Sequence, residues 1–347
     1  VQIIKEKVIE LDIMRSIAIT FIILLHLANY LNYLNILVLP FGNYGLGTFI
    51  FLSGYLMQYQ YPNINRATEI VSFYKRRFFK IYPLYWLALL TFIITFGIIS
   101  PKFGYGSLIN FNMSSFYIII HILGAQILLA PRYLTPAPTL WYIGAILLYY
   151  LIYPILVIKL KNIYELIARC FIIFTLLGII HFLVGIIDIR FFLYFFIFIS
   201  GIIVSYQNIF ADPKYNNYLI FFLLIWLFMV TYWKQMTFNF NAQQQVIFFN
   251  VLVISFEMGL YYIIKYFKNS FFGYHKSLFS QIAINSYCIY LFHRPIMSIF
   301  YGVNKLLHLT PIINDIVMIG FSIPVVYIIS NYIQKLESKY LSTGKLN

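Results

Sequence analysis

The sequence predicts an all-α, polytopic integral membrane protein with about ten transmembrane helices and a re-entrant or interfacial helix near residues 116–130. Three observations predict it. Of 347 residues, 62% are hydrophobic and 10% charged, with a mean hydropathy of +0.84, whereas globular domains run about 45–50% apolar and about 25% charged. Such a chain lacks the polar surface to face water, so its solvent is the lipid bilayer. Apolar runs of about 20 residues, the length a helix needs to cross a bilayer, recur along it. The basic residues fall between those runs, mostly on one side, as in cytoplasmic segments. The formal net charge of +14 would suit nucleic acid as well. A nucleic-acid reader needs its basic residues on a wet face, however, and these sit in short clusters between apolar runs, so no nucleic-acid partner is expected.

In chain order, candidate spans lie near 12–32, 44–60, 81–99, 139–158, 170–187, 190–206, 217–233, 246–264, 281–301 and 312–333. The first reads as a spanning helix and not a cleaved signal: it is long, lacks a small-residue cleavage site, and carries Arg15 and His26. The run Phe116 to Ala130 is shorter and holds His121 and Gln126. If it spanned, Lys159, Lys161 and Arg169 would lie opposite the largest basic loop, 61–80, with Arg66, Lys75, Arg76, Arg77 and Lys80. Leaving it as part of an outer loop, 100–138, puts eighteen of the 24 basic residues on the cytoplasmic side. Both termini are then cytoplasmic, in a multi-pass protein of the cell (plasma) membrane. Residues 1–340 read as one transmembrane domain and 341–347 as a short cytoplasmic tail, since no linker, low-complexity tract or repeat divides the chain. Cys170 and Cys288 lie inside apolar runs and read as reduced core thiols; no zinc-type spacing exists, and no metal is expected. Asn112-Met113-Ser114 fits a glycosylation sequon, a weak pattern.

Ionisable groups are costly in a bilayer, so each one inside a span is a candidate functional group. The first span holds Arg15 and His26. Eleven helical residues return to within roughly 20° of the starting direction with a rise of about 16 Å, so the two face the same way. Taken singly, Arg15 snorkels and pairs with Asp12 at i−3, and His26 is a hydrogen-bonded bundle histidine. Taken together, they form a rail for a long ligand with an anionic head at the inner surface and a reactive end deep in the membrane.

Four blocks then follow in order: Leu11-Asp12-Ile13-Met14-Arg15 through His26, an Arg followed by ten residues and a His; Phe51-Leu52-Ser53-Gly54-Tyr55-Leu56-Met57; the basic run from Tyr74 to Trp86; and Ser286-Tyr287-Cys288-Ile289-Tyr290-Leu291-Phe292-His293-Arg294-Pro295. In order and spacing they resemble the membrane acyltransferase 3 family. Two departures stand out. Ile146 and Leu147 occupy places where many O-acetylating members carry glutamates, and Lys80 ends a basic motif that elsewhere ends in Arg. Lysine keeps the positive charge without the bidentate fork.

The resemblance implies an O-acyltransferase (O-acetyltransferase) that moves an acyl group, commonly acetyl from acetyl-CoA, onto a hydroxyl of a carbohydrate or glycolipid at or beyond the membrane. Arg76, Arg77 and Lys80, with Tyr82 and Ser53 from the matching motifs, would hold the donor, and Arg15 would add to that grip. His26 would be the general base, because a neutral alcohol is a poor nucleophile and an imidazole titrates near neutrality; an acyl-His intermediate is its competing role. Arg294 would meet the oxyanion or the acceptor, unless it satisfies a carbonyl freed by Pro295. Trp141, Tyr287, Tyr290, His293 and Glu257 are the candidate substrate contacts. Against these stand plainer readings: Ser53-Gly54 as a small-residue helix contact, Glu257 as a structural acid, and His121 and His181 as bundle histidines. The main alternative is a polytopic transporter or flippase of a glycan or lipid-linked substrate, for which paired inverted repeats would be expected. A non-catalytic sensor that keeps the fold is the other.

Overall fold

The computed structural model describes residues 8–31, 41–62, 64–99, 114–129, 137–232 and 241–343. Lys5, Lys7, Lys102, Asn112, Arg132, Lys234 and Lys345, on which parts of the topology and the sequon rest, lie outside the described residues. Among the described residues the regular elements are helices, with one isolated bridge between Ile64 and Ile158.

Among the described residues, seven helices are long and apolar enough to cross a membrane: Ile9–Ala28, Ala67–Ile99, Ile163–Val184, Ile189–Tyr206, Pro213–Thr231, Gln243–Phe267 and Pro311–Lys339. Seven, not ten, meet that measure. The other three expected spans are helical too, but Trp141–Val157 has 17 residues, and Phe41–Gln60 and Lys276–Leu306 carry more polar side chains. Several of the polar residues in the body of these two helices turn inward: Thr48, Gln58, Asn285, Ser286 and His293 are all buried. A helix with its polar groups in the bundle interior can give up average hydropathy without exposing them to lipid. By contrast, the windows of Ile163–Val184 and Pro213–Thr231 are only 6% and 11% buried. Their exposed Phe171, Phe182, Leu183, Phe221 and Leu224 form surface suited to lipid.

The basic loop expected over 61–80 is a correction. Helix Ala67–Phe92 runs through most of it and continues as a π-helical stretch, Ile93–Ile99. No Gly or Pro interrupts 67–82, and the buried Phe73, Arg77, Ile81, Leu84 and Tyr85 recur at helical spacing. Glu69 starts it, accepting from the backbone N–H groups of Asn65 and Arg66. Ala67–Ile99 is about 50 Å long, more than the roughly 30 Å hydrocarbon core, so at least one end projects.

The segment near 116–130 is two short helices, Ser115–Ile122 and Gln126–Leu129, neither able to span. The break falls at Gly124, whose φ of +66° suits glycine. The carbonyls left over at the end of the first helix are met from Ala67–Phe92: the hydroxyls of Tyr82 and Tyr85 and the indole N–H of Trp86 donate to Leu123, His121 and Ile122.

The chain divides into two interleaved compact units. The first comprises Val1–Ile22, Pro40–Gln60 and Phe196–Ser286; the second comprises Ile23–Leu39, Tyr61–Phe195 and Tyr287–Asn347. In the first unit, Gly54 on Phe41–Gln60 and Gly201 on Ile189–Tyr206 meet backbone to backbone: a Cβ on Gly54 would overlap Phe198 O, and one on Gly201 would overlap Phe51 O. In the second, Arg169 holds the end of Trp141–Val157, its Nη1 donating to the carbonyls of Ile155, Leu156 and Ile158 and its Nη2 to Glu165.

Candidate functional site

The second unit brings together His26 and His293, 267 positions apart in the chain. Their ring centroids are 5.0 Å apart and the planes 33° from parallel. His26 lies near the end of helix Ile9–Ala28. That end is seated by Tyr30, whose hydroxyl pairs with Ser298 Oγ at 2.7 Å and whose carbonyl accepts from Asn314 Nδ2 at 2.9 Å. His26 is partly exposed, yet its Nδ1 is enclosed and has no hydrogen-bond partner.

His293, in the middle of Lys276–Leu306, is fully buried. Its Nδ1 stands 2.8 Å from Tyr290 O and 3.1 Å from Ile289 O. A carbonyl only accepts, so Nδ1 must carry the hydrogen. Nε2, buried and without a partner, is left to act as an acceptor when the ring is neutral. Arg294 makes no hydrogen bond to the described residues, and its Nε is buried; it does not satisfy the carbonyl freed by Pro295. A buried polar atom left unpaired costs about 1–3 kcal/mol. Three nitrogens in this state on three adjacent side chains therefore mark a place where a polar ligand would be stabilising.

Other expected site residues are used differently. The Tyr287 hydroxyl donates to Ile81 O at 3.0 Å, and the Tyr290 hydroxyl donates to Thr139 O. These bonds tie Lys276–Leu306 to its neighbours, so the two tyrosine hydroxyls and His293 do not form one binding stripe. Trp141 has the Arg190 guanidinium over its ring at 4.8 Å, and Arg190 itself makes a two-pronged contact with the buried Asp188 at 2.8 and 2.6 Å. That cluster carried no signal in the sequence beyond an Asp-x-Arg spacing. Of the basic trio, Arg76 and Lys80 are exposed, whereas Arg77 is buried among Tyr61, Phe73 and Tyr150, its guanidinium carbon 5.2–5.7 Å from the three ring centres. Tyr82, as noted, holds Leu123 O. His121 and His181 bond to nearby carbonyls, Tyr117 O at 2.8 Å and Ile187 O at 2.7 Å, as bundle histidines do.

In the first unit, Arg15 lies 3.8 Å from Asp12, the i−3 pairing, and Ser280 donates to the same carboxylate. Glu257 is fully buried with Oε1 2.7 Å from the Thr48 hydroxyl, and its partner is thus a threonine and not a basic residue. Ser53 adjoins the Gly54 crossing, which makes the helix contact the evident role of that motif's glycine.

A family model described as an acyltransferase domain matches residues 8–331, nearly the whole chain. No curated protein and no solved structure matches it.

Proposed function

The chain belongs to the acyltransferase domain family, and from that premise we propose that it moves an acyl group, acetyl by default, from cytoplasmic acyl-CoA to a hydroxyl of a carbohydrate or glycolipid at the membrane or its outer side. The observation that carries the reading is the group His26, His293 and Arg294, two imidazoles 5.0 Å apart and the arginine that follows His293 in the chain, each with an enclosed nitrogen that no described residue satisfies.

These groups fit O-acyl transfer. As the acceptor oxygen attacks the thioester carbon, His26 takes the hydroxyl proton. The carbonyl oxygen becomes an oxyanion, and Arg294 is the donor assigned to it. Collapse breaks the C–S bond, and the proton on His26 passes to the departing thiolate, which leaves acylated acceptor, free CoA and a neutral base. His293, its Nδ1–H occupied by backbone carbonyls, packs its ring against that of His26 and keeps its Nε2 as an acceptor for a bound polar group. Exposed Arg76 and Lys80 hold the donor phosphates, and Arg15, eleven residues before His26 on its helix, supplies a further positive charge. Trp141 with Arg190 offers the acceptor an aromatic and polar surface. The excess of basic residues between the apolar runs supports a cytoplasmic side for both termini.

The test is turnover by the purified full chain in lipid nanodiscs, read as CoA thiol release with a panel of sugar and glycolipid acceptors. His26→Ala and His26→Gln are expected to lower turnover about 10²–10⁴-fold with an unchanged melting temperature. Unimpaired turnover in both would refute the assignment of His26. Unaltered acyl-CoA binding in Arg76→Ala/Lys80→Ala would refute the donor site.

A further inference from the structure

Within the second unit a cavity of about 250 Å³ lies between three elements. Ala67–Phe92 contributes Tyr74, Arg77 and Tyr82; Trp141–Val157 contributes Leu147, Leu148 and Leu151; the break at Gly124 closes the third side. The walls are pinned at both ends by hydrogen bonds, from the Tyr74 hydroxyl to Leu151 O at 2.9 Å and from the Tyr82 hydroxyl to Leu123 O at 2.8 Å. The gap between them is thus part of the fold and not a packing fault.

The lining is apolar except for three tyrosines, of which Tyr74 and Tyr82 have their hydroxyls engaged, and Arg77, whose cation stands over three aromatic rings, that of the third lining tyrosine, Tyr150, among them. Its charge persists whatever else its nitrogens bind, because a guanidinium does not deprotonate in proteins. At the rim, Phe78, Leu123 and Leu151 are 41%, 57% and 53% exposed, apolar surface that in a membrane protein faces lipid. The volume is below the roughly 300–1,000 Å³ of sites that enclose a drug-sized ligand; it suits a segment of one acyl chain and not a nucleotide.

We propose that this cavity is a binding site for an anionic bilayer phospholipid, one acyl chain lying between the leucines and the phosphate drawn to Arg77 in its wall. Basic pockets between transmembrane helices recognise anionic headgroups in this way. The proposal does not depend on the acyltransferase reading.

Native mass spectrometry of the full chain, delipidated in detergent and titrated with phosphatidylglycerol or phosphatidylcholine, tests it. One phosphatidylglycerol is expected to bind about fivefold or more tighter than phosphatidylcholine, the factor that one nearby cation provides. Arg77→Lys should keep that preference and Arg77→Gln should reduce it. Leu148→Trp, which fills the cavity, should abolish the tight site; Leu151→Phe serves the same purpose should the tryptophan variant fail to fold. Equal binding of the two lipids would overturn the role of charge, and undiminished phosphatidylglycerol binding in the filled variants would overturn the location. Displacement of the lipid by inorganic phosphate or acetyl-CoA at equal concentration would show the site to serve a soluble anion instead.

Discussion

Gly54→Ala is expected to weaken the fold by forcing apart two helices that touch through their backbones. A methyl group there would overlap Phe198 O and lie 3.1 Å from Phe198 C and 3.3 Å from Ile202 N; on Gly201 it would overlap Phe51 O and lie 2.9 Å from Tyr55 N. None of these atoms can rotate away, since all belong to helical backbone. An ordinary C···O contact needs about 3.3–3.6 Å, so the seam must widen by more than about 1 Å, and a gap of 0.5–1 Å already forfeits about a quarter to a half of each dispersion contact. In lipid, packing of this kind is a main force between helices. Overpacking typically costs about 1–3 kcal/mol, and each single variant should lose that much. Because either substitution spreads the same seam, Gly54→Ala/Gly201→Ala should fall short of the sum by about 0.5 kcal/mol or more. Reversible unfolding in mixed micelles of SDS and mild detergent measures all four proteins. Single variants within about 0.5 kcal/mol of wild type, or strict additivity, would refute the close-contact argument. A fall in donor affinity at constant stability would instead give Ser53-Gly54 a ligand role.

Arg294→Gln should lower turnover about 10²–10³-fold, as for the loss of an oxyanion donor, with little change in KM; a loss confined to thermal stability would remove Arg294 from the chemistry. Arg169→Gln should cost about 1–3 kcal/mol by leaving the carbonyls of Ile155, Leu156 and Ile158 without this donor, and hydrogen exchange at that helix end should rise; unchanged exchange would show that other donors take over. The Thr48 hydroxyl has one hydrogen but stands 2.9 Å from Tyr44 O as well as 2.7 Å from Glu257 Oε1. Glu257→Gln, which brings its own N–H, should therefore match wild-type stability, whereas Glu257→Ala should lose about 0.6–1.7 kcal/mol, the range for buried interhelical hydrogen bonds in membranes; equal loss in both would sink that reasoning.

How legible the site was depended on the range of the interaction. The Arg15–Asp12 pair at i−3 follows from local spacing and was readable. The inward turn of Arg77 was not: within Lys75-Arg76-Arg77 the three cations look alike, and the choice is made by Tyr150 on another helix and by Tyr61 before the turn. The aromatic residues at 287 and 290 shared a helical face with His293, as their spacing requires, yet each hydroxyl found a different backbone carbonyl, and those partners come from distant segments. The expected loop over 61–80 misread a charge cluster as a break in structure. A charge cluster is compatible with a helix, in which Lys75 and Arg76 face outward and Arg77 lies on the buried side.

The sequence alone established that the protein lives in lipid, by its composition, and that its elements are helices, by apolar runs of about 20 residues where a barrel strand needs about ten; it also showed that few ionisable groups would remain inside the bilayer to choose among. The order of its motifs pointed to the family. The tertiary structure decided which of those few groups meet: His26 with His293 beside Arg294, and Arg77 with an aromatic cage in place of the exposed cluster. Such pairings depend on helix rotation and register between segments hundreds of residues apart, set by contacts such as Gly54 on Gly201 and Tyr30 on Ser298, which no local periodicity encodes.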